Sequence, residues 1–199
     1  MLESKSIIKR DIETKEPSID KFLDNLDLLS RLLKEEEMFC FVLINFGGAW
    51  TTKDIRDMFI VYRAKQGHIK IPKKIWDFYV VGEQKTPKLM GLMHNTVQYV
   101  STPIFVKELE KLLKSKNYSI PSYKTFDKYL DNLKNLGLII KRPDPTLVEK
   151  KRKVELWVMN PNLINKIKER YNKNVLDEYL NPILNKINKI LNETFIIEK

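Results

Sequence analysis

The chain has 199 residues, 43% of them hydrophobic and 31% charged, a composition that excludes intrinsic disorder and leaves room for a sizeable core. No apolar run reaches the roughly 18–20 residues that a membrane-spanning helix needs, and residues 1–17 lack the apolar centre of a secretory signal. The net charge of +10 is concentrated in residues 88–199, where 21 basic and 12 acidic side chains leave +9; residues 1–87 carry 15 and 14, which leaves +1.

The predicted elements of the N-terminal part are helices. Residues 1–17 are polar and without periodicity, which predicts a flexible leader, and apolar residues at helical spacing then predict a helix over 19–34. The apolar run 38–46 predicts a second, more deeply buried helix, which the glycines after it end. Thr51 or Thr52 is expected to start a third helix.

The middle of the chain gives weaker signals. The segment GHIKIP at 67–72 suits a short strand, and Pro72 suits the first turn of a helix. We expect a further helix over 89–100. Another helix is expected to begin at Pro103 and to end near Asn117.

The stretch from Ser122 onward predicts a helix and a strand joined by a glycine. Ser122 can cap the helix, whose apolar residues recur at spacings of three and four, and Gly137 is expected to end it as a left-handed cap. The β-branched segment 138–140 and the alternating segment 154–159 predict two strands that pair if the loop between them turns back. That loop is cationic, with six basic and two acidic side chains in residues 141–153.

The C-terminal part, 161–199, is predicted to be helical. Its second segment carries apolar residues at 4-3-4-3 spacing, the rhythm of a packed helical seam: Leu176, Leu180, Ile183, Ile187 and Ile190. Pro182 is expected to kink or restart this helix. Because these helices carry more Leu and Ile than one small domain needs, we expect them to form a homodimer.

The order helix, helix, turn, helix, strand, loop, strand over 88–160 points to a known architecture. The pattern FxxYLxxLxxLGLI, from Phe126 to Ile139, resembles the recognition helix and first wing strand of winged helix-turn-helix transcription regulators, those of archaea and bacteria most. The fold class implied is mainly α with a small β-hairpin, a winged helix-turn-helix with an additional helical region.

The resemblance also implies a DNA-binding surface. The helix from Ser122 would lie in the major groove with its first residues nearest the base edges, and the cationic loop would be a wing that touches phosphates or an adjacent minor groove. Asn132 is expected to point outward with this surface. The residues expected to contact double-stranded DNA are Ser122, Tyr123, Lys124, Thr125, Lys128, Lys141, Arg142, Lys150, Lys151, Arg152 and Lys153.

A second resemblance lies upstream, in MFCFVLINFGGAWTTKDIRDMF. It is similar to the first two helices of another winged helix, but no matching glycine and strand follow it. Residues 18–87 are therefore either a degenerate copy, which would make a tandem pair, or a helical domain for dimerisation or partner binding. The winged helix at 88–160 and the C-terminal helices at 161–199 would follow.

Motifs of catalysis and cofactor binding are missing from the sequence. There is no phosphate-binding glycine loop, no set of metal ligands at usual spacing and no nucleophilic triad order, so we expect neither an enzyme nor a bound cofactor. His68 and His94 stand apart. The single cysteine, Cys40, is expected to be a buried, inert thiol in a cytoplasmic protein. The three tryptophans are expected in the core.

These observations predict a double-stranded DNA-binding winged-helix protein, a transcriptional regulator. Two alternatives stay open. One is a replication-initiation or partition protein of a plasmid or virus, for which tandem winged helices are common. The other is an adaptor whose winged helices bind protein and not DNA, in which case the positive charge serves solubility. The sequence identifies neither the target site nor a small-molecule effector.

Overall fold

The computed structural model describes residues 27–78, 89–91, 98–100, 103–144, 154–171 and 175–198, which are mainly helical with small two-stranded sheets. The helices are α1 (Asp27–Leu32), α2 (Glu35–Gly47), α3 (Thr52–Gln66), α4 (Lys73–Trp76), α5 (Pro103–Ser115), α6 (Tyr123–Asn135), α7 (Pro161–Tyr171) and α8 (Val175–Asn192). The strands are β1 (Lys70–Ile71), β2 (Leu89–Gly91), β3 (Gln98–Val100), β4 (Ile139–Pro143), β5 (Glu155–Met159) and β6 (Ile196–Ile197).

Local capping signals set the helix boundaries as predicted. At the start of α3, Oγ1 of Thr51 accepts a hydrogen bond from the N–H of Asp54 at 3.1 Å, and at the start of α6, Oγ of Ser122 accepts one from the N–H of Thr125 at 3.2 Å. Gly137 follows α6 with φ 74°, in the left-handed region where a glycine is unstrained. Each of these three predictions is confirmed.

The helix predicted over 89–100 is wrong. The described ends of that segment are the strands β2 and β3, which pair antiparallel with Leu89 opposite Val100 and Gly91 opposite Gln98. Glycine disfavours a helix interior, while the aromatic and β-branched residues of β3 favour a strand. Because short apolar runs carry no clear period, this segment was open to both readings.

The predicted hairpin is present, and a third backbone segment pairs with it. β4 and β5 pair antiparallel from Ile139 opposite Met159 to Pro143 opposite Glu155. Trp50, between α2 and α3, exchanges two backbone hydrogen bonds with Trp157 of β5, at 3.0 and 2.8 Å. The order across the sheet is therefore Trp50, β5, β4, which joins the upstream helices to the hairpin.

One hydrophobic core runs through both halves of the chain. α2 buries eight consecutive residues, 37–44, and packs against α6, α8 and β5, while α3 packs against α5, α6 and α8. The boundary predicted at 87/88 therefore does not separate two cores. The helices assigned to a second winged-helix copy, α2 and α3, pack instead on α6 and on the hairpin.

The apolar face of α8 packs against other helices of the same chain. α8 continues through Pro182 as one helix, so Pro182 does not restart it. Its buried residues face α2 and α3 and are Leu176, Leu180, Leu184, Ile187 and Leu191. Because this apolar face is covered intramolecularly, the surplus of Leu and Ile that suggested a homodimer has another explanation. As predicted, Trp50 and Trp157 are buried, and Trp76 is half-buried.

Candidate nucleic-acid interface

Helix α6 presents a polar outer face. Phe126, Leu130 and Leu133 are fully buried along one stripe of the helix. Lys124 and Lys128 are exposed and four residues apart, so they lie one above the other on the opposite stripe. Two of the cations expected to meet DNA therefore form one row on the surface.

The other three predicted contacts of this helix lie in its capped first turn. Oγ of Ser122 lies 2.9 Å from Oγ1 of Thr125 and also accepts the N–H of Thr125, so both hydroxyls are occupied in capping the helix. Tyr123 is 46% exposed. Of the three side chains, Tyr123 offers the largest surface to a ligand.

Polar side chains on both flanks of α6 tie it to the helices beneath. Oδ1 of Asp127 accepts a hydrogen bond from Oγ1 of Thr52 at 2.9 Å, which holds this carboxylate toward α3. Nδ2 of Asn132 donates to Oε1 of Glu37 on α2 at 2.9 Å. Asn132 is exposed, as expected, but its amide already has a partner within the chain.

The hairpin cations fall into three groups. Lys141 is engaged: its Nζ lies 3.0 Å from a carboxylate oxygen of Glu155 and 4.7 Å from the ring centroid of Trp157. Arg142 is exposed, and its Cα faces that of Leu156 across the ladder. The four consecutive cations expected in the wing lie outside the described residues: Lys150, Lys151, Arg152 and Lys153.

A relay of hydrogen bonds connects the hairpin to the outer helix. Nε1 of Trp157 on β5 donates to Oγ1 of Thr52 at 3.1 Å, and the same hydroxyl donates to Asp127 on α6. Asp127 lies between Lys124 and Lys128 in the sequence, and Lys141 lies over the Trp157 ring. Three contacts therefore link a hairpin cation to the first two turns of α6.

Arg56 on α3 is the site residue that the sequence reading missed. It is 4% exposed, its Nη2 donates to Oε1 of Glu110 at 2.7 Å, and its Nε donates to the carbonyl of Pro121 at 2.9 Å. Its guanidinium carbon lies 4.3 Å from the ring centroid of Tyr123. The available signal was an arginine beside Ile55 on a helix whose apolar residues predict a buried face, since a buried charge needs a partner.

Burial and pairing shift the pKa of three groups. Burial alone would raise the pKa of Glu110, but the hydrogen bonds from Arg56 and Lys114 outweigh it and lower that pKa below its usual value. Burial lowers the pKa of Lys65 on α3 to about 8. Burial also raises the pKa of the Cys40 thiol far above its usual value, as expected of an unreactive thiol.

Two kinds of site have no counterpart in the described ranges. No three His, Cys, Asp or Glu side chains converge there on a point that could hold a metal ion. Among the helices described, none combines the length and the apolar character needed to cross a bilayer.

Comparison with protein-family models, with curated proteins and with solved structures gives no match for the chain.

Proposed function

We propose that the protein binds double-stranded DNA through a winged helix-turn-helix and acts as a transcriptional regulator in the cytoplasm. α6 is the helix that enters the major groove, and the β4–β5 hairpin is the wing. The observation that carries the proposal is the relay from Trp157 through Thr52 to Asp127, because it connects the hairpin to the α6 residue that precedes Lys128.

The arrangement of the elements supports the winged-helix assignment. α3, α5 and α6 supply three helices, with α3 packed on both others, and α6 leads through Gly137 into β4. The first helix of the motif is thus α3, in place of the helix expected at 89–100. The pairing of Trp50 with β5 adds a third strand position to the hairpin, which strengthens its attachment to the helices.

Charge supports DNA as the partner. Lys124 and Lys128 project from the exposed face of α6, and Arg142 is exposed on the hairpin. Each phosphate that a lysine neutralises releases counterions, so binding would weaken as the salt concentration rises. Lys141 contributes less to this expectation, since Glu155 already lies within 3.0 Å of its ammonium group.

The proposal is tested by fluorescence anisotropy with a random duplex at about 50 mM and about 200 mM salt. We expect the full chain to bind at the lower salt, and the double variant Lys124→Ala, Lys128→Ala to bind less tightly with a salt slope reduced by about 2. The control is Lys186→Ala, Lys189→Ala, which removes the same charge from the exposed side of α8.

Two outcomes contradict the proposal. If the full chain does not bind duplex DNA at the lower salt, the adaptor alternative replaces the DNA-binding proposal. If both double variants lose affinity equally, the binding is a general effect of net charge and α6 is not the contact. A footprint on directly repeated sites would instead favour the replication or partition role.

A further inference from the structure

Arg56 joins three separate parts of the chain at the start of α6. Its guanidinium donates hydrogen bonds to the carboxylate of Glu110 on α5 and to the carbonyl of Pro121 in the turn. It also stacks on the ring of Tyr123. Pro121 directly precedes the cap residue Ser122. The arginine therefore fixes both the entry and the first residue of α6 from beneath.

The first turn of α6 has little other anchoring. The first buried residue of α6 is Phe126, and the residues from Ser122 to Lys124 are exposed. The hydrophobic core therefore sets the position of the second turn onward, whereas Arg56 sets the position of the turn that carries Tyr123 and Lys124.

Arginine is suited to this place in a way that lysine is not. The planar guanidinium offers donors in several directions within its plane and a flat face for an aromatic ring, so one side chain can bond Glu110 and Pro121 while stacking on Tyr123. A lysine ammonium could keep the charge and the contact with Glu110 but not all three contacts. The conservative substitution Arg56→Lys is therefore informative.

We propose that Arg56 is a positioning residue for DNA recognition, which holds the ring of Tyr123 in one orientation so that this side chain contacts the duplex. The inference rests on the proposed function and names how its site is organised. Arg56 itself is 4% exposed and does not reach the DNA, whereas Tyr123 covers its guanidinium and keeps 46% of its own surface open.

A double-mutant cycle on the full chain tests this, with duplex affinity measured at low salt for the wild type, Arg56→Lys, Tyr123→Ala and the double variant. We expect Arg56→Lys to weaken binding about tenfold when Tyr123 is present and less than about twofold when residue 123 is alanine. A merely structural arginine would weaken binding by the same factor in both backgrounds. Urea unfolding of all four proteins checks that the binding differences do not follow stability.

The outcomes separate the two proposals. If the wild type fails to bind duplex DNA, the proposed function fails and this inference with it. If the wild type binds and the double variant loses affinity by the product of the two single-variant factors, the residues act independently and the inference alone is overturned. It is overturned in the same way if Tyr123→Ala leaves affinity unchanged.

Discussion

Helices α2 and α6 have the same length, 13 residues, but they are built in opposite ways. α2 buries eight consecutive residues and opens on three glutamates, Glu35 to Glu37, whose charge suits the positive end of a helix. α6 buries three residues along one stripe and has no acid in its first turn, where Lys124 lies instead.

The difference suits α2 to stabilising the fold and, on the proposed function, leaves the outer face of α6 to contact a ligand. α2 packs against other elements on several sides, and its glutamates offset the helix dipole at its N-terminus. Its sequence therefore stabilises the fold. α6 keeps one side open and places a cation where the helix dipole disfavours it, which costs some stability and attracts anions. Substitutions on α2 should therefore change folding, and substitutions on the outer face of α6 should change binding.

The largest effect is expected from shortening a side chain of α2. Phe41 is fully buried, so Phe41→Ala should lower the free energy of unfolding by about 3–5 kcal/mol, measured by urea unfolding with circular dichroism. Phe41→Leu, which leaves a smaller cavity, should lose less. A loss below about 1 kcal/mol for the alanine variant would remove the contrast between the two helices.

Lys65 on α3 is buried, in contrast to the exposed lysines of α6, and its burial should make stability depend on pH. Nζ of Lys65 donates to the carbonyl of Leu191 at the end of α8 and lies 4.7 Å from the ring centroid of Phe195. Its pKa is about 8 in the native protein, against 10.5 as the usual value, so the unfolded chain holds the proton to higher pH. Stability should therefore rise with pH between these two values.

The measurement compares the wild type with Lys65→Met, which lacks the titrating group. Between about pH 7 and about pH 10, the wild type should gain about 2 kcal/mol of unfolding free energy relative to the variant. Titrations common to both proteins cancel in this difference. Parallel stability curves would show that the Lys65 ammonium is not desolvated.

The sequence predicted what local signals determine. The caps Thr51, Ser122 and Gly137 depend on side chains within a few residues, and the buried stripe of α6 follows from its spacing, so these were found. The outward lysines of α6 follow from the same spacing. The strand pair at 89–100 was missed because its short apolar run has no decisive period.

What the sequence could not predict are contacts between distant residues. The pairing of Trp50 with Trp157 and the contacts of Arg56 with Glu110 and Pro121 depend on how the helices pack, and no local pattern announces them. The order of the predicted elements placed a domain boundary at 87/88, but it could not show that helices from both sides of that boundary share one core. The pairing of Lys141 with Glu155 across the hairpin was likewise hidden.

A smaller loss of stability is expected from changing Thr52, whose hydroxyl connects the hairpin to α6. Thr52→Val removes the acceptor of the Trp157 indole N–H and the donor to Asp127 while keeping the shape, and should cost about 1.5 kcal/mol of unfolding free energy. Thr52→Ser keeps the hydroxyl and should lose clearly less. Equal losses for the two variants, in the same urea titration, would mean that the relay does not contribute.

The smallest expected effect on stability comes from Lys124, and it should oppose the effect on binding. Lys124→Glu places a carboxylate in the first turn of α6, as in α2, and should raise the free energy of unfolding by about 0.5 kcal/mol at low salt while weakening duplex binding. Lys134→Glu makes the same charge change in the last turn, where a cation is favoured, and should lower stability by a similar amount. Added salt should reduce both changes, because it screens the helix dipole. If Lys124→Glu destabilised the protein, Lys124 would belong to the fold like the glutamates of α2, and the outer face of α6 would not be reserved for a ligand.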